Sequence, residues 1–545
     1  MQKSGSSKNW RRFITTQESR DGASDQDVPS RAYLQKRVKQ MKGKIFKIIG
    51  AVAVINILAR LLGFAREAAV AYQYGTSYLA DSIIAVYTIP NFLYVVVGGA
   101  VTTAFISVYS KIKEGPEQEK FMSSTFTYIM AIVGVLTVLL LVFTDPLLKL
   151  VMGQMDAKEY EAAKSLYYWM APSTFFLILS MWLSGILNVN QKFHLSTLST
   201  FIYNLAFLAL ALLLTPFMSV ESYGFGALAG AAVMVIMLIA GLRKEHLKHF
   251  KIRFAFSDEL KRLFIIAMPI MLGGAALQVY ALLQRVFGSR IHDDGLVAAL
   301  NYASKLTQFP QAVLMTAVTT VIYPSLAKKA AENDLASITS LYQKGLRWLG
   351  LLLLPVTIFV IIYAQEIVQV IFQYGNFNAS STAVTYPLLQ IFALSMFTFA
   401  ANVYVTRFFY AMENSYMPVL ISIFCVFGIN IGITLLFIEE YGARAIAWGT
   451  SISSIVNFIL LLLLAKNVLK LKIMAEKIGS LGKTLAFYAG IAVIVTAFRL
   501  YLSTGMPWID ITIGGLVFLG AVLALIKLLK FPELQMILNR KNAAK

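Results

Sequence analysis

Long apolar segments recur along almost the whole chain, and they constrain the fold more than any other feature. A helix that crosses a membrane needs about 20 mostly apolar residues. The segments that meet this length are fourteen: 45–72, 79–110, 122–145, 161–188, 195–216, 222–242, 262–288, 295–325, 343–364, 383–411, 417–437, 442–465, 483–503 and 508–529. Hydrophobic residues make up 58% of the chain and charged residues only 14%, which is far from the composition of soluble domains. The sequence therefore predicts an all-α protein with about 14 transmembrane helices.

Lysine and arginine in the connecting loops predict the orientation of these helices. The loops after the second, sixth, eighth and twelfth spans are basic, as are both ends of the chain, whereas the connections after the first, fifth and ninth spans carry no basic residue. Basic loops stay on the cytoplasmic side of a membrane. We therefore expect a multi-pass protein of the bacterial plasma membrane with both termini in the cytoplasm. The loop after the third span, with Lys149 and Lys158, is the exception. This bias also accounts for the net charge of +20, and no nucleic-acid partner is predicted.

Polarity divides the chain into tails, lobes and a terminal helix pair. Residues 1–43 are polar and lack helical periodicity, so we expect a disordered basic tail there. The predicted units are the tail 1–43, an N-lobe of six spans at 44–250, a C-lobe of six spans at 251–470, a helix pair at 471–530 and a cytoplasmic tail at 531–545.

Two short patterns indicate that the lobes arose by duplication. The residues Ala-Val-Thr-Thr at 100–103 recur at 317–320, and the pattern Tyr-Gly-x-x-Ala at 223–227 recurs at 441–445, with offsets that agree to one residue. Each offset covers six spans, an even number, so the two copies have the same orientation. Such a parallel repeat is typical of transporters whose substrate site lies between the halves. A two-lobe transporter is therefore favoured over a channel or a membrane enzyme.

Ionisable residues inside the apolar spans are the candidate substrate-binding groups. A charge at the centre of a membrane helix costs about 2.5–3.5 kcal/mol, so it usually faces a bundle interior or a watery cavity. The ionisable residues of the spans are Arg60, Arg66, Glu67, Asp81, Arg285, Lys305 and Arg407, and all of them except Glu67 are candidate substrate-binding residues. A cavity rich in arginine and lysine predicts an anionic substrate, such as a phosphate or diphosphate.

A structural interpretation of the same charges stays open. Each one can pair with a neighbouring helix without binding a substrate. In that interpretation Asp81 neutralises Arg66, Arg285 lies near the outer membrane surface and Arg407 lies near the inner surface.

Prolines, histidines and nucleotide-binding motifs bear on the mechanism and on possible cofactors. Pro90 and Pro310 interrupt the second and eighth spans and are either packing kinks or hinges for alternating access. The histidines stand in no metal-ligand spacing, and no phosphate-binding Walker motif is present. We therefore predict no metal, no cofactor and no catalytic residue, with membrane potential or a coupled cation as the energy source.

Four ordered motifs resemble those of the MurJ-type lipid II flippases, the MviN family of the MOP superfamily. They are residues 59–67 (Ala-Arg-Leu-Leu-Gly-Phe-Ala-Arg-Glu) followed by Asp81 and 89–91, residues 301–310 (Asn-Tyr-Ala-Ser-Lys-Leu-Thr-Gln-Phe-Pro), residues 372–377 (Phe-Gln-Tyr-Gly-Asn-Phe) and residues 407–411 (Arg-Phe-Phe-Tyr-Ala). The resemblance implies two six-helix lobes around a V-shaped cavity, with two additional C-terminal helices that guide the lipid tail. It also implies that Arg60, Arg66, Asp81 and Lys305 match functional positions of the family.

The implied function is alternating-access transport of an undecaprenyl-diphosphate-linked peptidoglycan precursor, lipid II, from the inner to the outer leaflet. Its partners are then the lipid-linked saccharide, the bilayer and, as candidates, the enzymes of cell-wall synthesis. Tyr94 departs from the family, many of whose members have an arginine shortly after the Pro-Asn pair. Alternatives are therefore a flippase for another polyprenyl-linked polysaccharide unit and a cation-coupled drug exporter. An enzyme is not expected, because no outer loop is large enough for a catalytic domain.

Overall fold

The computed structural model of the protein describes residues 31–113, 115–153, 156–242, 250–291, 294–414, 416–472 and 478–529. Within these ranges all regular structure is helical. The α-helices are α1 (Arg31–Tyr74), α2 (Tyr78–Leu93), α3 (Gly99–Tyr109), α4 (Pro116–Val142), α5 (Thr144–Met152), α6 (Ala157–Met170), α7 (Ser173–Val189), α8 (Phe193–Met218), α9 (Glu221–Gly241), α10 (Asp258–Gly288), α11 (Leu296–Ala331), α12 (Leu335–Ile362), α13 (Ala364–Phe372), α14 (Ala379–Ala393), α15 (Met396–Ala411), α16 (Tyr416–Ile423), α17 (Ile431–Tyr441), α18 (Ala443–Asn467), α19 (Ile478–Leu502) and α20 (Pro507–Leu529).

Short polar side chains mark the starts of several helices. Ser77 accepts a hydrogen bond from a backbone N–H in the first turn of α2, and Ser257 does the same for α10. Asp334 and Asn378 cap α12 and α14 in the same way. These caps satisfy backbone donors that have no partner inside the helix. Within lipid the remaining backbone groups must bond inside the helix, which is why such apolar segments form helices.

The prediction of an all-α, multi-pass membrane protein is confirmed. Among the described residues, ten helical segments are long and apolar enough to cross a membrane. The pair α14 and α15, bent by 41°, qualifies as one further span. The other predicted spans, 45–72, 262–288 and 295–325, coincide with the long helices α1, α10 and α11, which lie outside that count. The number fourteen is compatible with this arrangement and stays a prediction.

The chain divides into two compact units, 1–56 and 57–545, and not at the predicted lobe boundary. Residues 57–250 of the predicted N-lobe and the whole predicted C-lobe lie in the second unit, where residues of α2 bond directly to the start of α11. The prediction of a tail without helix is wrong for residues 31–43, which belong to α1. Arginine, lysine, leucine, glutamine and methionine dominate this stretch, and all of them favour helix. The rest of the predicted tails, 1–30 and 531–545, lies outside the described residues.

The two halves repeat one another in the order of their elements, as the predicted duplication requires. A nine-residue helix follows a long helix in each half, α5 after α4 and α13 after α12. Each short helix buries one apolar face, which includes Leu148 in α5 and Val368 in α13. The equivalent helices α2 and α11 then meet at their N-terminal ends.

The two predicted hinge prolines lie in different surroundings. Pro90 is buried near the end of α2, which continues through the π-helical segment Tyr94–Gly98 into α3. A proline removes a helical hydrogen bond, and π-helical turns occur often at functional sites. Pro310 lies inside α11, which runs without a break to Ala331. A hinge role for either residue stays a prediction.

Candidate functional site

A central cavity of about 460 Å³ lies between the two lobes. The N-lobe contributes Arg66 and Glu67 from α1 and aromatic side chains from α2 and α8. The C-lobe contributes Arg285 from α10 and Lys305 from α11. Because the wall comes from both lobes, any movement of one lobe against the other changes the cavity.

Arg66 is held against two aromatic rings. Its guanidinium carbon lies 4.4 Å from the ring centroid of Tyr87 and 4.8 Å from that of Phe207. Its Nη2 donates to Oε1 of Glu67 over 3.2 Å. Its Nη1 is buried and has no hydrogen-bond partner among the described residues. A stacked guanidinium with an unused donor is suited to receive an anionic oxygen.

A chain of hydrogen bonds runs from Glu67 across the C-lobe. Asn301 on α11 donates to Glu67 over 2.7 Å and accepts from Arg285 over 2.5 Å. Arg285 also donates to Gln284 over 3.2 Å, and Gln284 donates to Thr450 on α18 over 3.1 Å. Glu67 and Arg285 each expose only 7% of their surface. These hydrogen bonds therefore fix both charged groups and link α1 to three helices of the other lobe, α10, α11 and α18.

Lys305 contributes the third positive charge. It is half-buried on α11, one helical turn after Asn301. Within the described part of the chain its ammonium group makes no ion pair or hydrogen bond. The described residues that line the cavity therefore carry three cations, Arg66, Arg285 and Lys305, against one carboxylate, Glu67. This excess of positive charge needs an anion or water for compensation.

Arg60 lies on a second cavity of about 430 Å³ that adjoins the first. Arg66, Glu67 and Lys305 line both cavities, so the two spaces share one charged wall. Arg60 itself is exposed. The remaining wall of this second cavity is largely apolar and includes Phe64.

Asp81 is placed differently from the sequence interpretations. Its Oδ1 accepts from the backbone N–H of Ala298 over 2.6 Å, and its Oδ2 accepts from that of Gly295 over 2.9 Å. The interpretation that Asp81 neutralises Arg66 is thus wrong, since Arg66 pairs with Glu67. A carboxylate on the N-terminus of α11 is stabilised by the unpaired N–H groups and the helix dipole.

The surroundings of Asp81 form a direct contact between the two lobes. We define the interlobe contact as residues 72–81 of the N-lobe with residues 295–302 and 375–381 of the C-lobe. Asn376 donates its backbone N–H to the Tyr72 carbonyl over 2.9 Å, and Tyr302 donates to the Gly75 carbonyl over 3.1 Å. Gly375 adopts φ +60° at this contact, and a Cβ there would lie 2.3 Å from the Tyr72 carbonyl oxygen. The backbones therefore approach closely enough to require glycine.

Two other sequence interpretations concern arginines. Arg285 is buried and lines the central cavity, and its position near the outer membrane surface stays a prediction. Arg407 is half-buried on α15 and lines neither the first nor the second cavity. A substrate role for Arg407 stays a prediction.

Sequence reasoning missed the amides that organise the cavity. Asn301 and Gln284 bridge the charged groups, yet neither was among the candidates. The available signal was spacing, because Asn301 precedes Lys305 by one helical turn and Gln284 directly precedes Arg285. Glu67 was recognised as a charge within a span but not as a site residue.

Comparison with known protein families gives a consistent match. A sequence model of the family "Lipid II flippase MurJ" matches residues 70–512. A protein of Rickettsia prowazekii described as a probable lipid II flippase MurJ is 27% identical over 417 residues, which cover 75% of this chain and 81% of the relative. The lipid II flippase MurJ of Burkholderia cenocepacia is 24% identical over 431 residues, covering 77% and 83%.

Solved structures show the same fold. The structure of a lipid II flippase MurJ in an inward closed conformation has a TM-score of 0.76 at 23% identity and covers 88% of this chain and 99% of that protein. An inward-facing multidrug transporter of the MATE family and MOP superfamily has a TM-score of 0.59 at 15% identity, with coverage of 77% and 95%. At these identities the structural likeness concerns the fold alone.

Proposed function

The chain belongs to the lipid II flippase MurJ family, and on that premise we propose that it carries lipid II from the inner to the outer leaflet of the inner membrane. In this proposal the central cavity holds the diphosphate of the headgroup. Arg66, Arg285 and Lys305 neutralise its charge, and the chain acts as a transporter without catalytic chemistry. The same proposal places both termini in the cytoplasm, which the basic loops support.

The observation that carries this proposal is the excess of cations inside an apolar helical bundle. Charges within membrane spans are costly and are kept where they serve a pathway or a binding site. Arg66, which has one donor without a partner, and Lys305, whose ammonium is unpaired among the described residues, both line this cavity. Arginine and lysine together suit a diphosphate, through fork-like and point-charge contacts.

The adjoining cavity supports a route for the lipid. A flippase must move only the polar headgroup through protein, since the prenyl chain can remain in the membrane. Arg60 is exposed on a largely apolar wall that leads to the shared residues Arg66 and Lys305. We propose that Arg60 makes the first contact with the diphosphate, before the headgroup enters the central cavity.

Alternating access in this scheme requires the interlobe contact to open. That contact lies at the end where α1 ends and α2 begins, which the predicted topology places on the outer side. Asp81 would then be a gate residue that holds the inward-facing state, and Pro90 with the following π-helix would let α2 bend. A diphosphate diester carries two negative charges, so its outward movement gains about 5 kcal/mol at 100 mV, inside negative. We propose this potential as the energy source, and cell-wall synthesis enzymes as the consumers of the product.

Transport by the purified full chain in liposomes tests the proposal. Lys305→Ala removes a charge without leaving a buried partner unpaired, and we expect lipid II movement to fall at least about tenfold. The control is Lys466→Ala, because Lys466 is exposed and lines neither cavity. Equal transport by wild type and Lys305→Ala, at equal amounts of folded protein, would contradict the assignment.

A further inference from the structure

Glu67 is an unusual residue for a cavity that receives an anion. It is buried, it lines the cavity together with three cations, and its carboxylate accepts a hydrogen bond from one of them, Arg66. One oxygen accepts from Arg66 over 3.2 Å and the other from Asn301 over 2.7 Å. A negative charge here lowers the attraction for any anionic ligand, so its presence needs a physical reason.

The charges of the cavity provide that reason. Arg66, Arg285 and Lys305 less Glu67 leave a net charge of +2 among the described lining residues. A diphosphate esterified at both ends, as in a lipid-linked saccharide, carries two negative charges. A diphosphate with one free end carries about one more at neutral to alkaline pH, because the second ionisation of a phosphate monoester falls near pH 6. The cavity with ionised Glu67 thus matches the diester.

We propose that Glu67 is a specificity-determining residue that sets the headgroup charge which the cavity accepts. This inference rests on the proposed function and adds a selection rule to it. The ionised carboxylate favours diphosphate diesters over polyprenyl diphosphates that lack a sugar. It also reduces repulsion among the three cations when the cavity is empty. A flippase with this rule rejects the sugar-free carrier, whose outward movement would serve no synthesis.

The variant Glu67→Gln isolates the charge from the geometry. The glutamine oxygen can still accept the hydrogen bond from Asn301, so the link between the lobes is retained, while the net charge of the cavity rises to +3. A close charge at an intermediate effective dielectric constant changes relative affinities by about tenfold or more. We therefore expect the affinity ratio of sugar-free to sugar-bearing ligand to rise about tenfold in this variant.

The experiment measures binding of two probes to the full chain in nanodiscs at pH 8. One probe is a polyprenyl diphosphate with a single neutral sugar, and the other is the same polyprenyl diphosphate without it. Glu67→Asp keeps the charge, and Asn301→Ala removes the hydrogen bonds of Asn301 to Glu67 and Arg285 without changing the net charge of the cavity, so both should keep the wild-type ratio. A merely structural role predicts the reverse, with Glu67→Gln normal and the other two variants perturbed.

A compensating variant keeps the test decisive if Glu67→Gln alone does not fold. Lys305→Gln lowers the net charge to +1 and should shift the ratio toward the sugar-bearing probe. The double variant Glu67→Gln with Lys305→Gln returns to +2 and should regain the wild-type ratio. An unchanged ratio in folded Glu67→Gln, or in Lys305→Gln, overturns the selection rule alone. Failure of the wild type to bind either probe overturns the proposed function together with it.

Discussion

The carboxylate of Asp81 should control the balance between the two states of the transporter. It accepts two backbone hydrogen bonds at the start of α11, and a hydrogen bond to a charged group contributes about 1.5–3 kcal/mol. Asp81→Asn keeps one acceptor oxygen but turns an N–H toward a backbone donor and removes the charge at the helix terminus. We expect a loss of about 2 kcal/mol for the closed interlobe contact, which is an increase of about 30-fold in the open-to-closed ratio.

Spin-label distances across the contact measure this change. Ala157 and Ala379 are exposed on opposite lobes, and cysteines there can be labelled in a Cys425→Ser background, since Cys425 is the one cysteine of the chain. Asp81→Asn should add a population at longer distance. Asp510→Asn is the matched control, because Asp510 also accepts backbone and hydroxyl hydrogen bonds but within the α19–α20 turn. Identical distance distributions in wild type and Asp81→Asn would refute the reasoning.

Three further substitutions test the contact, the cavity and the terminal helix pair. Gly375→Ala places a Cβ 2.3 Å from the Tyr72 carbonyl oxygen and should open the interlobe contact in the same distance assay. Gly505→Ala controls for backbone strain, because Gly505 also has a positive φ but has open space around it. This control should leave the distances unchanged. Arg66→Lys retains the charge but loses the planar stacking and the fork, so lipid II transport should fall about tenfold, whereas undiminished transport would argue against a stacked guanidinium ligand. Arg499→Ala removes an ion pair of 2.8 Å that joins α19 to α13. This loss of about 1–2 kcal/mol should lower the unfolding midpoint of so long a chain by about 1–2 °C, with no change in the affinity ratio of the two probes.

Sequence reasoning predicted the fold and most charged residues of the cavity for the same physical reason. Apolar segments of membrane length must be helices, and charges inside them have few tolerable positions. The sequence therefore predicts Arg66, Arg285 and Lys305 as separate candidates, and the structure brings them to one cavity. The two repeated patterns likewise predict a duplication, and the short helices α5 and α13 occupy the same place in the order of each half.

What the sequence could not predict is the partner of each charge. Asp81 bonds to the backbone of a helix 217 residues later in the chain, and a backbone donor leaves no trace in the side-chain sequence. Asn301 and Gln284 are uncharged amides. An amide within a membrane span costs less free energy than a charge, so it is a weaker sequence signal of a functional site. The polarity of residues 31–43 predicts a tail, although their intrinsic helix propensity favours the helix that the structure shows.

Two N-lobe carboxylates bond to the same helix of the C-lobe, and the substrate can compete with only one of them for its cationic partner. Asp81 bonds to Ala298 and Glu67 bonds to Asn301, which is three residues further along α11. An anionic headgroup that contacts Arg66 competes with Glu67, whereas Asp81 lies outside the central cavity. A ligand shifts a conformational equilibrium only through a difference in affinity between the states. Binding of the diphosphate therefore weakens the Glu67 link and leaves the Asp81 link to hold the contact. Glu67→Ala, which removes the hydrogen bond to Asn301, and Asp81→Asn should show non-additive effects on the distance distribution, because both act on one turn of α11.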